Sequence, residues 1–460
     1  MDEVSPAEEE QPEANSEGFQ FISFNDPKNM SSSSSLSLIR RHAMKQIGKS
    51  RRRPRAHRKL ELVLDAQKMQ THASPHIPKS WWLGAGPMDP FVKYPIDLGS
   101  KERELVTLIF NKEIRSQLAL RDAWFSVGLS DTATFLLVLA NSALVMDSVR
   151  HGGRDPEESA DALQYQTRAI RYTNSKLGGL IVVPTDEMIG NVTGLMCYNV
   201  ILGKYDAWVM HRNGLISMVQ LVGGVERIAL NVQLRLTISW VEIQGAFALD
   251  LECAFPLPAQ WEQYSHPIAD HQETLLPLKL CEAWTVKWPR SQDWLDVYRD
   301  LFLFSRQTFF DTLGGIQSPH SGGWTNAIMQ RLLAMRPLRN NSSPGSNAEE
   351  ACRVASLIYL APIWRKFGVF PVRSIVLVSK LRSLLSSHRV DWTGLESLHL
   401  WVLYMGYVES SGEDREWFVS ELDAWSVRYG LESWDLVQQC VRTILWIDNV
   451  FGAPDNLKSP

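Results

Sequence analysis

The sequence predicts an all-α protein: a large body of many helices, preceded by a basic N-terminal tail that we expect to be disordered. Three observations carry this prediction. From about residue 101 onward, apolar residues recur every three or four positions, which is the period of a helix. Stretches in which apolar and polar residues alternate, as in strands, are almost absent. Of the 460 residues, 45% are hydrophobic, which is ample for a large buried core.

The first 39 residues have the composition of a disordered tail that is acidic and rich in serine. This segment contains eight acidic residues and a single base, Lys28, so its net charge is −7. Five consecutive serines occupy positions 31–35. A small apolar island, FQFISF at 19–24, interrupts the polar sequence and is suited to docking on the body or on a partner.

Residues 40–59 form a basic block that contains no acidic residue. Its ten cations are Arg40, Arg41, Lys45, Lys49, Arg51, Arg52, Arg53, Arg55, Arg58 and Lys59. The apolar residues around the start of the block share one helical face, at Leu36, Ile39, Ala43 and Ile47. This pattern predicts a helix from 36 to about 53, which Pro54 ends. The net charge of the whole chain is −4, so residues 60–460 carry a net charge of −7. Any attraction to a polyanion must therefore be local to the block.

Residues 60–98 read as a linker because five prolines punctuate them, and the helical body follows at 99–460. Asp131 is placed to cap an apolar helix that continues through Met146. Further helices are predicted at 161–179, 186–202 and 206–222, the first and last of which end in Gly-Gly pairs. Irregular stretches are predicted at 255–270 and 336–347, and the second of them precedes a helix that opens at Glu349. Further helices are predicted at 369–387, 393–409, 414–429 and 432–448.

No familiar catalytic or metal-binding pattern occurs in the sequence, so we expect a protein that is not an enzyme and needs no cofactor. There is no Gly-x-Ser-x-Gly, no phosphate-binding glycine loop and no His-Glu-x-x-His. The nearest approach to a metal site is His266, Asp270 and His271 in a proline-rich loop, where a solvated loop is the simpler interpretation. His211 falls on the apolar face of its helix, where a hydrogen-bonded core histidine is the expected role.

The five cysteines are widely scattered, which argues against a disulfide framework and against a Cys-x-x-Cys zinc site. A reducing interior fits this usage best. The longest strongly apolar run, at 135–146, is shorter than the roughly 20 residues that a membrane span requires. The N-terminus opens with acidic residues and resembles neither a secretory signal nor a transit peptide.

Three uses of the basic block compete with the simple alternative of a solvated charge run. It can be recognised by a nuclear-import receptor, it can neutralise the phosphates of DNA or RNA, or it can lie on an anionic membrane. The membrane is the weakest of these because the apolar face beside the cations is small and has no aromatic residue. Import is the leading interpretation, and the same side chains can serve both import and DNA contact.

Several stretches, taken in order, match a known family. They are FQFISF, IRRHAMKQIGKSRRR, DAWFSVGLSDTATFLLVLANSALVMDSVR at 122–150, DAWVMHRNGLISMVQLVGG at 206–224, EEACRVASLIYL at 349–360 and HLWVLYMGYVESSGEDREWFVSEL at 399–422. Within the 206–224 stretch the matching residues are Trp208, His211, Gly214, Leu215, Met218, Val219, Gly223 and Gly224. In these features the chain resembles the fungal-specific transcription factor family, in the branch whose helical regulatory domain follows a short basic region.

The resemblance implies an all-helical regulatory domain, a nuclear location and a role in transcription. The chain also differs from many members of that family. Those members carry a six-cysteine binuclear zinc cluster that binds DNA, whereas no cysteine precedes Cys197 here. We therefore expect a nuclear transcriptional regulator that lacks this module. Its expected partners are an import receptor, co-regulators or the transcription machinery, and DNA by weak or partner-assisted contact, with no membrane. The alternative is a protein-interaction scaffold or co-regulator that does not bind DNA.

Overall fold

The computed structural model of the chain describes residues 93–110, 121–152, 154–176, 183–262, 277–311, 323–338, 343–366, 369–387, 390–431 and 433–451. Of these residues 76% are helical and none lies in a strand, so the predicted all-α class is confirmed. By internal contacts the chain divides into two units, and nearly all described residues belong to the unit formed by Pro78–Thr173 and Pro184–Pro460. The predicted tail, the basic block and most of the predicted linker lie outside the described residues.

Eighteen helices occur in the described ranges. The first nine are α1 (Ser100–Phe110), α2 (Arg121–Gly128), α3 (Thr132–Arg150), α4 (Ala160–Lys176), α5 (Asp186–Leu202), α6 (Tyr205–Leu221), α7 (Val225–Ala229), α8 (Val232–Leu249) and α9 (Ala259–Glu262). The others are α10 (Leu278–Lys287), α11 (Asp293–Asp311), α12 (Gly323–Ala334), α13 (Pro344–Lys366), α14 (Ile375–Ser387), α15 (Glu396–Glu409), α16 (Gly412–Tyr429), α17 (Trp434–Arg442) and α18 (Asp448–Phe451).

Helix α3 begins where its cap predicts. The Asp131 side chain accepts a hydrogen bond from the Ala133 backbone N–H at 2.9 Å, which satisfies a donor in the first helical turn. Fifteen of the 19 residues of α3 are buried. By length and composition it is the one described helix that is apolar enough to cross a membrane, and 83% of its most apolar window is buried inside the protein. Its apolar surface is therefore used in core packing.

Helices α5 and α6 are antiparallel neighbours in sequence whose ends follow the expected chemistry. Gly203 ends α5 with φ of 69°, and Gly223 and Gly224 follow α6 with φ of 109° and 88°. The Gly224 backbone N–H donates to the Val219 carbonyl at 2.8 Å, which satisfies one of the last carbonyls of the helix. The Gly223-Gly224 pair thus ends a helix, as its sequence context predicts.

Helix α8 is shared by two hydrophobic cores within the larger unit. Fourteen of its 18 residues are buried, so it lies inside the body. Leu234, Ile238 and Val241 contribute to one core, built mainly from α1 to α6. Trp240 and Phe247 contribute to the other, which is built from the helices that follow. One central helix therefore holds the two halves of the described body together.

The C-terminal boundary departs from the pattern-based prediction of one helix over 432–448. The structure has α17, a turn, and then the short helix α18. The Tyr298 hydroxyl donates to the Ile444 carbonyl at 3.2 Å, and the Trp401 indole N–H donates to the Leu445 carbonyl at 3.2 Å. These buried side chains satisfy carbonyls that a continuous helix would use itself, so tertiary contacts override the helical pattern.

Two helix starts differ from the prediction by five residues or more. Helix α13 begins at Pro344 rather than Glu349, because Pro suits the first helical position and the Ser343 hydroxyl accepts from the Ser346 backbone N–H at 3.1 Å. Helix α14 begins at Ile375 rather than 369. The residues before it contain Pro371, which lacks a backbone N–H and disfavours helical backbone at the residue that precedes it.

Candidate functional site

The ten cations predicted to contact an import receptor or nucleic acid fall outside the described residues. They are Arg40, Arg41, Lys45, Lys49, Arg51, Arg52, Arg53, Arg55, Arg58 and Lys59. The proposed roles of these side chains therefore rest on the sequence. What the described body adds is the electrostatic setting in which the block must act.

In the described body, many cations are already paired with carboxylates. Fifteen Lys and Arg side chains there have an ion-pair partner at 3.8 Å or less: Lys101, Arg150, Lys204, Arg212, Arg227, Lys287, Arg299, Arg331, Arg336, Arg353, Arg365, Arg373, Lys380, Arg382 and Arg442. Because a paired cation attracts a phosphate less strongly than an unpaired one, this surface favours polyanions less than residues 40–59 do.

The most deeply buried charges form a network around Arg353 on α13. Its guanidinium donates to both carboxylate oxygens of Asp250, at 2.9 and 2.8 Å, and to both of Glu350, at 2.8 Å each. It also donates to the Leu332 carbonyl at 3.2 Å, while Lys380 contacts both carboxylates. Arg353 is fully buried. The network therefore joins the ends of α8 and α12 to the middle of α13 and to α14.

The pKa values of this network show that its charges stabilise one another. Burial opposes ionisation of Asp250 and Glu350, but hydrogen bonds and positive charge from Arg353 and Lys380 outweigh it and lower the pKa of both carboxyls. Burial likewise opposes the charge on Arg353, yet Glu350 and Asp250 raise its pKa above the usual range. All three groups are charged at neutral pH, and the arrangement is that of a structural clamp.

The irregular segment that follows α8, at 251–258, is held in place by side chains from the neighbouring helices. Arg212 donates to the Glu252 carbonyl at 2.7 Å, and Gln330 donates to the Phe255 carbonyl at 3.0 Å. Glu242 accepts from the Ala254 backbone N–H, and it also accepts from Arg212 at 3.2 Å. Burial raises the pKa of Glu242. These charged groups therefore position backbone, which explains their burial without a catalytic role.

A small cavity of about 270 Å³ lies between α11 and the C-terminal residues. It is lined by Phe302, Ser305, Arg442, Ile444, Leu445, Trp446 and Asp448. The Arg442 guanidinium carbon lies 5.2 Å from the centre of the Trp446 ring. A guanidinium nitrogen of Arg442 lies 3.8 Å from a carboxylate oxygen of Asp448. The volume of this cavity lies below the roughly 300–1,000 Å³ of typical ligand pockets, so the cavity assigns no ligand.

Of the histidines that the sequence singles out as candidate ligands, His211 lies in the described part of the chain. His211 is half-buried on α6, and burial lowers its pKa, so it is neutral at physiological pH. His266, Asp270 and His271 lie outside the described residues. Within the described ranges no three His, Cys, Asp or Glu side chains are grouped so as to hold a metal ion.

Helix α6 has one face that is buried against the body and an opposite face that is exposed. Trp208, Leu215 and Val219 are buried against the body. The opposite side, here called the α6 outer face, consists of Asp206, Met210, Asn213, Gly214, Ser217, Gln220 and Leu221, and all seven are exposed. Met210 is 62% exposed, and Asp206 is the one ionisable side chain among the seven.

Sequence reasoning missed the features that depend on distant contacts. Asp250 and Arg353 are 103 positions apart, and no local pattern links them. The glycine inside the predicted helix 206–222 was a usable signal for the α6 outer face, because a glycine in a helix interior calls for a reason. The comparisons with known proteins add no assignment: no family model, no curated protein and no solved structure matches this chain.

Proposed function

We propose that this protein is a nuclear regulator of transcription that lacks a zinc-cluster DNA-binding module and acts through its helical body. The observation that carries the proposal is the segregation of charge. Ten cations without an intervening acid precede a body whose residues 60–460 carry −7. A block of this composition is the kind of segment that import receptors and nucleic-acid phosphates attract.

The paired cations of the body support the assignment of this role to the block. In the described part of the chain, Lys and Arg side chains such as Arg150, Lys204 and Arg382 are within 2.8 Å of carboxylate oxygens. They position helices and neutralise acids. The resemblance to the fungal-specific transcription factor family supports the regulatory role, with co-regulator proteins or the transcription machinery as partners of the helical body.

A fluorescent fusion tests the import role. Changing Arg51, Arg52, Arg53 and Arg55 to Ala removes four of the ten charges, so we expect the ratio of nuclear to cytoplasmic fluorescence to fall severalfold. The matched control removes four exposed cations outside the block, by changing Arg168, Arg171, Arg290 and Lys366 to Ala. Nuclear accumulation that is the same in the block variant and in the control would exclude the block as an import signal.

The alternative of a scaffold that does not bind DNA makes a different prediction for the purified protein. If the block contacts about five phosphates, the logarithm of the binding constant should fall with the logarithm of salt concentration at a slope of about −4.5. A regulator that reads its own sites should also prefer some sequences over background. Binding that is absent at low salt would favour the scaffold.

A further inference from the structure

The irregular segment at 251–258, here called the strap, lies along the boundary between the two hydrophobic cores of the larger unit. The first half of that unit consists of α1 to α7 and the second half of α9 to α18, with α8 shared. Leu251 packs against both cores. Cys253 and Leu257 pack against the core of the second half, whereas Phe255 is buried in the core of the first half. The strap therefore contributes apolar side chains to both halves.

Each half also holds the backbone of the strap through a polar side chain. In the first half, Arg212 on α6 donates to the Glu252 carbonyl at 2.7 Å. In the second half, Gln330 on α12 donates to the Phe255 carbonyl at 3.0 Å. Because the two carbonyls are only three residues apart, one short piece of chain is bonded to both halves.

Helix α8 supplies two further bonds to the strap. The buried Glu242 carboxylate accepts from the Ala254 backbone N–H, and it also accepts from the Arg212 guanidinium at 3.2 Å. The Arg235 guanidinium, which is buried as well, donates to the Pro256 carbonyl. Hydrogen bonds to charged groups are stronger than those between neutral groups. Since side chains fasten the strap, replacing a few of them can release it while the helices stay intact.

We propose that the strap couples the two halves, so that they open and close as one unit, and that its release lets them move about α8 separately. Two bodies joined by a single helix can rock about it, whereas a second attachment to both of them restrains that motion. Arg373, which precedes α14, adds a link by donating to the Val200 and Ile201 carbonyls at 2.9 Å each. With the strap closed, a partner that binds one half also stabilises the other. The inference does not depend on the proposed function.

Hydrogen exchange of the full chain at increasing urea concentrations, followed by mass spectrometry, tests this coupling. Peptides from α3 report on the first half and peptides from α13 on the second, and in the unchanged chain both should become exposed at the same urea concentration. The double variant Arg212→Met/Glu242→Gln removes a cation and its carboxylate together and leaves Arg373 in place. Because the lost bonds involve charged groups, exchange in α3, which belongs to the smaller core, should rise at least about tenfold relative to α13.

A matched control removes an ion pair that lies within one half. Arg382 on α14 and Asp414 on α16 are 2.8 Å apart, so Arg382→Met/Asp414→Asn should leave exchange in α3 and α13 matched. Gln330→Met removes one bond to the strap without changing any charge, and it should shift α3 in the same direction as the double variant. Matched exchange of α3 and α13 in both strap variants would overturn the proposal. So would their separation in the unchanged chain, or an equal separation in the control.

Discussion

At the residue scale, burial decides the protonation of a histidine that contacts an aromatic ring. His399 on α15 stacks on Trp392, with ring centres 5.1 Å apart and planes 4° from parallel. Burial lowers the pKa of His399 from its ordinary 6.5 to about 4, and the charge of Arg428 adds to this effect. The folded protein therefore keeps this imidazole neutral at a pH where the unfolded chain protonates it.

This shift predicts how stability depends on pH. The folded pKa is depressed, so the free energy of unfolding should fall as pH decreases from 6.5 toward 4, by at most about 1.4 kcal/mol per pH unit for this group. His399→Phe retains a ring on Trp392 and removes the titration. Urea unfolding at several pH values should show a shallower pH dependence for the variant, and parallel curves for the two proteins would contradict the assignment.

Local chemistry at single residues was predictable, whereas burial was predictable only in part. The cap at Asp131 and the helix end at Gly223-Gly224 follow from side-chain chemistry and backbone freedom, which are local properties. The recurring apolar positions of the predicted helix 161–179 include Leu163 and Tyr165. The structure buries Tyr165 but leaves Leu163 46% exposed, because the packing partner of a helix selects which part of a broad apolar face it covers.

At the element scale, the Arg353 clamp is the clearest case of helices fixed by charge. The guanidinium is fully buried, and it bonds to Asp250 after α8 and to Glu350 on its own helix. The bounds of α5 and α6 could be predicted to within one residue because their caps and glycines are local. The clamp could not, because it joins residues that are far apart in sequence.

Removal of this arginine should be far more costly than removal of an exposed one. Arg353→Met leaves two buried carboxylates without their main partner, so we expect a loss of about 3–5 kcal/mol in the free energy of unfolding. Arg150→Met breaks an ion pair with Glu104 in which both side chains are 55% exposed, and should cost about 1 kcal/mol or less. Equal losses in urea titrations of the two variants would show that the network contributes no more than a surface pair.

At the scale of the whole molecule, the fold class was predictable and the arrangement was not. Helical periodicity from residue 101 onward is a local property, and the all-α class follows from it. The sharing of α8 between two cores was hidden, because a helix that is apolar on nearly all sides has no preferred face in the sequence. The two candidate surfaces differ in the same respect. The basic block can be recognised from composition alone, whereas the α6 outer face cannot, because it depends on which side of the helix the body covers.

The central claim is that residues 40–59 are the means by which an acidic protein reaches the nucleus and its DNA. Mapping of chromatin occupancy for the full chain and for a variant without these residues, each expressed at the same level, tests it most directly. The account predicts that occupancy is lost or falls to background without the block. Occupancy at the same sites and strength in both proteins would contradict it.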